Sequence, residues 1–477
     1  MLADATAAAT PHALARALPE GFVLGTATAA AQIEGATTAG GRTPSVWDRF
    51  AADPGRIIDG SDTSRTADHY HRYAEDIGLM RELGADAYRF SFSWTRVQPS
   101  GSGDLSREGA DFYDRLLGRL HDAGIRPFAT ISHWDLPVEY AQGWLDRDTA
   151  QRLGDLAGLL GERFGDRIDS WITINEPATV TLNGYALGLH APGHSLLFDA
   201  LPTVHHQLLG HGLAVQALRA AGVPGGIGIT NTHSPVIPAS DSPEDHAMAA
   251  LFDLVHNRIY ADPVLLGRYP EAPDFLGDAL AAFDEVPSED LAQIHQRLDF
   301  YGLNYYMPTL VAAGAGDGES PDGTSAAMAD LPFRLLEFEG VPTTGFGWPI
   351  QPAGFARALT EMQERYGDVL PPVHITENGA SFPDEVGPDG TVDDTERVAF
   401  LRDHLAAALA AVAPGGPAEG LDLRGWFVWS LMDNWEWAAG FTQRFGLVHV
   451  DFTTGERTPK SSFRWLQQLI AARAEAR

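Results

Sequence analysis

The 477-residue sequence contains no cysteine. That one absence removes disulfide frameworks, thiolate nucleophiles and cysteine-based metal sites together. Lysine is nearly missing as well: Lys460 is the sole example, in the tail-like segment "ERTPKSS", and every other basic residue besides histidine is arginine. Schiff-base catalysis in an α/β barrel needs a lysine at a strand end, so aldolase-type chemistry is excluded. Positive charge is scarce overall, with 33 Lys and Arg against 64 Asp and Glu and a formal net charge of −31. Nucleic acids and anionic membranes both require clustered cations, so neither is an expected partner. No apolar run approaches the ~20 residues of a membrane-spanning helix. The opening "MLADATAAATPHALARALPEGF" lacks the basic start and apolar stretch of a secretory signal. The expectation is a soluble, cytoplasmic protein whose residues 1–20 form an irregular lead.

Eight short apolar runs recur along the rest of the chain. They begin at positions 22 ("FVLGTATAAAQ"), 87 ("AYRFSFSW"), 126 ("RPFATISHW"), 170 ("SWITINEP"), 226 ("GIGITNTHSP"), 298 ("LDFYGLNYY"), 372 ("PVHITENG") and 423 ("LRGWFVWSLMDN"). Most are continuously apolar, as parallel strands buried on both faces require. Amphipathic helical patterns such as "DFYDRLLGRLHDAG" lie between them, with Gly84 and Gly124 placed as C-caps. Eight strand-plus-helix units predict an α/β fold: a single (β/α)8 TIM barrel with long βα loops over residues 21–477. A doubly wound sheet is the competing architecture, but no Gly-rich phosphate loop follows an early strand. The extra length falls in rim or lid loops after strands 1 and 6.

In such a barrel the C-terminal strand ends converge on one mouth. Here they carry Gln32 and Glu34; Arg89 and Trp94; His133, Trp134 and Asp135; Asn175 and Glu176; Asn304, Tyr305 and Tyr306; Glu377 and Asn378; and Trp429, Asp433, Asn434, Trp435, Glu436 and Trp437. A ring of buried polar groups is costly unless paired or turned to a ligand. Two carboxylates, in "TINEP" and "ITENG", stand on strands 4 and 7 among amides, imidazole and indoles. That set suits glycosidic bond cleavage, which needs one acid and one nucleophile or stabiliser. The plainer reading, in which Glu176 and Glu377 are ordinary rim charges, remains to be weighed against it.

The motifs "TINEP", "ITENG", "SHWDLP", "YRFSFSW", "LNYY" and "WSLMDNWEW...FTQRFG", with "FVLGTATAAAQIEG" at the start and "RTPKSSFRW" near the end, resemble glycoside hydrolase family 1, the retaining β-glucosidase group. The match runs in the expected order over residues 20–470. The resemblance implies Glu176 as acid/base and Glu377 as nucleophile, with Arg89 placed to hold Glu377 ionised and Tyr306 to donate a hydrogen bond to it. It implies Gln32, His133, Asn175, Glu436 and Trp437 as binders of the non-reducing sugar, Asn175 at the 2-hydroxyl, Gln32 and Glu436 at the 3-, 4- and 6-hydroxyls, and Trp429 under the ring. Trp134 would reach the 3-hydroxyl and Asn304 would support the nucleophile region. The bond between Trp429 and Ser430 matches a position that is often cis. Glu436 would repel a phosphorylated sugar, and Glu176, where thioglucosidases carry glutamine, implies O-glycosides. Ser132, His374 and Trp435 depart from the family's more usual residues.

Other features fit blander roles. His69 and His71 fall two apart at a helix start, and His205, His206 and His211 fit packing better than ligation. Trp47 and Trp348 read equally well as aglycone platforms or core. The resulting expectation is a cofactor-free, metal-free retaining β-glucosidase acting on small β-glucosides, with side activity on galactosides or fucosides. A homo-oligomer is compatible with the sequence. A catalytically silent sugar-binding barrel and a metal-dependent barrel hydrolase are the rivals.

Overall fold

A computed structural model describes residues 9–271, 283, 286–315, 328 and 331–476. Eight parallel strands close into a barrel: β1 Val23–Ala27, β2 Ala87–Ser91, β3 Arg126–Ser132, β4 Ser170–Asn175, β5 Gly226–Thr232, β6 Phe300–Asn304, β7 Val373–Asn378 and β8 Leu423–Trp429. Each strand pairs with its neighbours in sequence, and β8 closes the ring on β1. All eight apolar runs are strands. Every residue of β1, β2, β4, β6 and β7 is buried, as barrel strands sealed inside by side chains and outside by helices must be.

The helices form because their apolar residues recur on one face. In Arg107–Asp122, Phe112, Tyr113, Leu116, Leu117 and Leu120 are buried, the Ser106 side chain caps the first turn, and Gly124 follows at φ 72°. Low in the barrel Phe128, Phe300, Phe427 and His374 pack as a layer, with the His374 ring 5.5 Å from Phe128 and 5.4 Å from Phe300. Burial holds the His374 imidazole down to about 4, so it packs as a neutral ring in this aromatic layer.

Three sequence expectations are revised. The lead is not irregular throughout its described part: Thr10 caps a helix over Pro11–Ala17, whose Leu14 and Ala15 are buried beside the C-terminal helix Ser461–Ala476. Proline at the first helical position, where no N–H is needed, explains its start; residues 1–8 lie outside the described residues. The loop after β6 is partly ordered as sheet, since Thr309–Ala313 pairs with Val236–Pro238 and with Phe333–Leu336; the rest of that loop lies outside the described residues. Lys460 is not in an exposed tail but fully buried against Asp384 and Asp433.

The end of β7 has one steric requirement. A Cβ on Gly379 would stand 1.7 Å from the Trp429 carbonyl oxygen, so only glycine lets β7 close on the end of β8. Gly379→Ala is expected to cost at least about 1–3 kcal/mol through overpacking. Loss of catalytic rate should accompany it, because Glu377 lies two residues away. A denaturant midpoint and kcat equal to those of the parent would refute this.

Candidate active site

The barrel mouth gathers Glu176 from the end of β4 and Glu377 from the end of β7. Both are buried. Glu377 Oε2 accepts a 2.5 Å hydrogen bond from Tyr306 Oη, and its Oε1 accepts from Arg89. Glu176 Oε1 accepts from Asn304 Nδ2 at 2.6 Å, and Oε2 from Thr179 Oγ1 at 2.7 Å. Asn175 lies between the two carboxylates. Its Oδ1 accepts from Arg89 at 2.5 Å and from Asn304 at 3.2 Å, while its Nδ2 faces His133 Nε2 at 3.1 Å. With Oδ1 fixed by two donors, Nδ2 is the donor toward His133, whose Nε2 therefore accepts. Burial, and then the charge of Arg89, keep that imidazole neutral, well below its ordinary range.

The two carboxylates have unlike partners. Arg89 and Tyr306 surround Glu377, whereas Glu176 meets one amide and one hydroxyl. Burial, followed by the charge of Glu377, pushes Glu176 up to about 7, against the opposing pull of Asn304, Thr179 and Arg89. One carboxyl that keeps its proton near neutrality, beside one compensated by a guanidinium, is the division that acid-plus-nucleophile chemistry uses.

A third carboxyl, Glu436, completes the floor. Gln32 Nε2 donates to Glu436 Oε2 at 3.2 Å and to Asn434 Oδ1 at 3.1 Å, leaving the buried Gln32 Oε1 without a protein donor. Burial, then the charge of Glu377, pushes Glu436 up to about 8. Gln32 lies on a helical turn, Ala30–Ile33, beyond the end of β1. Indoles line the same space: Trp429 and Trp437 each lie nearly parallel to the His133 ring, at 6.2 and 6.1 Å. The bond between Trp429 and Ser430 is cis.

Three of the seven non-glycine residues with positive φ among the described residues belong to this site. Glu176, Trp134 and Trp437 all take positive φ, at 44°, 74° and 52°. Such conformations cost roughly 1–3 kcal/mol each and persist where surrounding structure over-determines them. At Glu176 the cause is local. β4 ends at Asn175 and a helical turn begins at Pro177, so the reversal falls on the one residue between them.

Not every polar strand end joins this ring. Glu34 is bound by Arg96 at 2.8 Å and Tyr113 at 2.5 Å, and Asp135 accepts from the Trp94 backbone at 3.0 Å, with Trp94 itself fully buried. Tyr305 stacks on Phe355 at 4.5 Å, and Asn378 accepts from Trp426 at 3.2 Å. Asp433 pairs with Lys460, and the Trp435 indole donates to Ser61. Each of these groups is paired within the protein and braces the mouth from behind. One finer assignment also changes. The one indole N–H of Trp134, expected at a sugar hydroxyl, donates instead to the Asn175 carbonyl at 2.9 Å. The Asn304 amide gives its donors to Glu176 and Asn175, while its Oδ1 accepts from Thr376, the neighbour of the nucleophile, at 2.7 Å, which agrees with the expected support of that region.

Thr179 was not singled out in the sequence, although its place three residues after Glu176 in "EPAT" is the spacing of side-chain hydrogen bonds at a helix start. The histidines fill packing roles: His69 bonds Asp76 at 2.8 Å, His205 bonds Asp290 at 3.0 Å, His206 bonds the Trp144 carbonyl at 2.8 Å and His211 lies 2.7 Å from Thr173. Trp47 is buried against Trp437 at 4.6 Å and belongs to the core, whereas half-buried Trp348 stacks on Phe346 at 4.7 Å beside Tyr306. Among the described residues no group of three His, Asp or Glu side chains could hold a metal ion, and no helix is long and apolar enough to cross a membrane.

Comparison with known proteins gives one consistent answer. The model of glycosyl hydrolase family 1 matches residues 14–475. A β-glucosidase A from Acetivibrio thermocellus is 41% identical over 454 residues, covering 95% of this chain and 98% of the relative. A bifunctional β-D-glucosidase/β-D-fucosidase from Bifidobacterium breve is 40% identical over 468 residues, covering 95% of this chain and 98% of the relative. The solved structure of a family 1 β-glucosidase from Thermotoga maritima superposes with a TM-score of 0.87 at 38% identity, covering 96% of this chain and 98% of that one.

Proposed function

Since the chain belongs to glycosyl hydrolase family 1, we propose that it is a retaining β-glucosidase whose acid/base is Glu176 and whose nucleophile is Glu377. The observation that carries the assignment is the unlike surroundings of the two carboxyls: Arg89 and Tyr306 on Glu377, burial with only neutral donors on Glu176.

A terminal β-D-glucosyl residue enters with its anomeric carbon between the two groups. Glu176 gives its proton to the glycosidic oxygen while Glu377 attacks the anomeric carbon, and the aglycone leaves. Glu176, now a carboxylate, takes a proton from water as that water displaces Glu377 and restores the β configuration. Asn175 is held by Arg89 and Asn304, so its free amide hydrogen is preset for the 2-hydroxyl, a contact that strengthens in the transition state. Gln32, His133 and Glu436 take the remaining hydroxyls, and Trp429 and Trp437 meet the faces of the ring. Phe346 and Trp348 offer a platform to the aglycone. No cofactor or metal is needed, and activity should be indifferent to chelators.

The substrates under this reading are small β-glucosides, glucose–glucose disaccharides from cellulose and aryl glucosides among them, with side activity on fucosides or galactosides. The catalytic unit is taken as residues 21–477, acting in the cytoplasm. Following hydrolysis of an aryl β-glucoside by proton NMR tests the reaction directly. β-Glucose should appear first and mutarotate later; α-glucose first, or no turnover of any β-glycoside, overturns it.

The pH profile follows from Glu176. Its folded pKa is raised, so the protonated acid is present below about 7 and is lost as pH rises through that value. The alkaline limb of kcat/KM should therefore fall near pH 7 and vanish in Glu176→Gln assayed with a leaving group that needs no proton. A limb unchanged in that variant would assign it to another group.

A further inference from the structure

Behind the mouth, where the segments after β7 and β8 meet, six charged side chains form a cluster of three cations and three carboxylates. Lys460 donates to Asp384 at 2.6 Å and to Asp433 at 2.7 Å. Arg397 bonds Asp384 at 2.7 Å and also Asp394, while Arg444 bonds Asp433 at 2.6 Å. Lys460, Arg397, Asp394 and Asp433 are essentially inaccessible. Removing one member leaves the cluster with a buried charge that is no longer compensated, so its members hold their chain segments together as a unit.

The segments so joined carry the site. Asp433 stands three residues before Glu436, and Asp384 stands seven after Glu377. Next to Asp433, Asn434 accepts from Gln32, and the Trp435 backbone N–H donates to the Gln32 carbonyl at 3.1 Å. Lys460 also ties the strip in through its backbone, its N–H donating to Leu447 O at 2.9 Å while the Asp433 N–H donates to Val448 O at 2.9 Å. The residue type is informative too. The other 32 cations (33 − 1) are arginine, and this one alone is lysine. A compact ammonium with three rotatable donors fits between two converging carboxylates, where a planar guanidinium imposes its own fork.

We propose that Lys460 is a positioning residue for sugar recognition: by drawing Asp433 and Asp384 together it fixes the turn that presents Glu436 and Trp437 to the sugar at the level of Glu377. The inference rests on the glucosidase reading above. It makes Lys460 matter most for the hydroxyls placed at Glu436, of which the 6-hydroxyl can be removed by choice of substrate.

The test compares an aryl β-glucoside with the matching aryl β-xyloside, which lacks the hydroxymethyl group. In Lys460→Met the kcat/KM for the glucoside should fall about tenfold, mainly through KM, and that for the xyloside, which keeps the 3- and 4-hydroxyls, by about threefold. The selectivity ratio therefore drops about threefold. Equal losses on both substrates, or none, overturn the proposal, because a purely structural role would move both together. If that variant is not recovered folded, the same ratio is read on Asp384→Asn/Lys460→Met, which removes one charge of each sign and still cuts the tie between Asp433 and Asp384. Failure of the parent enzyme to hydrolyse either substrate would instead refute the glucosidase reading itself.

Discussion

Glu377→Ala is expected to lower kcat/KM for an aryl β-glucoside by about 10⁵-fold or more, since removing the nucleophile deletes the route to a covalent intermediate. The folded state should survive. Arg89 keeps its bonds to Asn175 and the Thr376 carbonyl, so the guanidinium is not orphaned when the carboxylate goes. The vacated space lies on the face opposite the leaving group, so added azide should enter there. The rescued product would be the α-glucosyl azide, formed with a single inversion. Detecting that product by NMR, with no residual hydrolysis, checks both the residue and the face it serves. Hydrolysis at the parental rate in Glu377→Ala would remove Glu377 from the mechanism.

The second large effect belongs to Glu176→Ala, and its size should depend on the leaving group. A substrate whose aglycone is a poor leaving group, such as a glucose disaccharide, loses about 10³-fold or more because the proton is needed for bond breaking. A dinitrophenyl glucoside leaves without that proton and should still form the glucosyl-enzyme at close to the parental rate, then accumulate for want of a base to activate water. A rapid burst of dinitrophenol followed by a slow steady state is the expected trace. Azide should restore turnover and give the β-glucosyl azide, the opposite anomer from the Glu377 case. Equal losses across leaving groups would take the acid role from Glu176.

Much of this was legible in the residues. The eight apolar runs read as barrel strands because burial on both faces leaves a continuous hydrophobic signal that tertiary context cannot disguise. The mouth was legible as a set of strand-end polar groups, but not how that set divides. Asn304 and Trp134 show why: each presents a donor at a strand end, and which acceptor takes it depends on strand register and on a left-handed backbone at Trp134. Neither is written in local sequence. Lys460 was misread for a related reason. A lone charged residue amid the polar "TPKSS" resembles a solvated loop, and its two carboxylate partners lie 76 and 27 residues away in sequence. The helix over Pro11–Ala17 is short and alanine-rich, and its stability comes from docking on a helix at the far end of the chain.

The aromatic layer of Phe128, Phe300, Phe427 and His374 beneath the sugar has a kinetic meaning. It closes the barrel from below, so everything must arrive and depart by the upper mouth. The aglycone has to clear that passage before water can reach the glucosyl-enzyme, and glucose, seated deepest, exits last. Under the retaining-glucosidase reading, free glucose is then expected to return to the enzyme form that the next substrate seeks and to inhibit competitively.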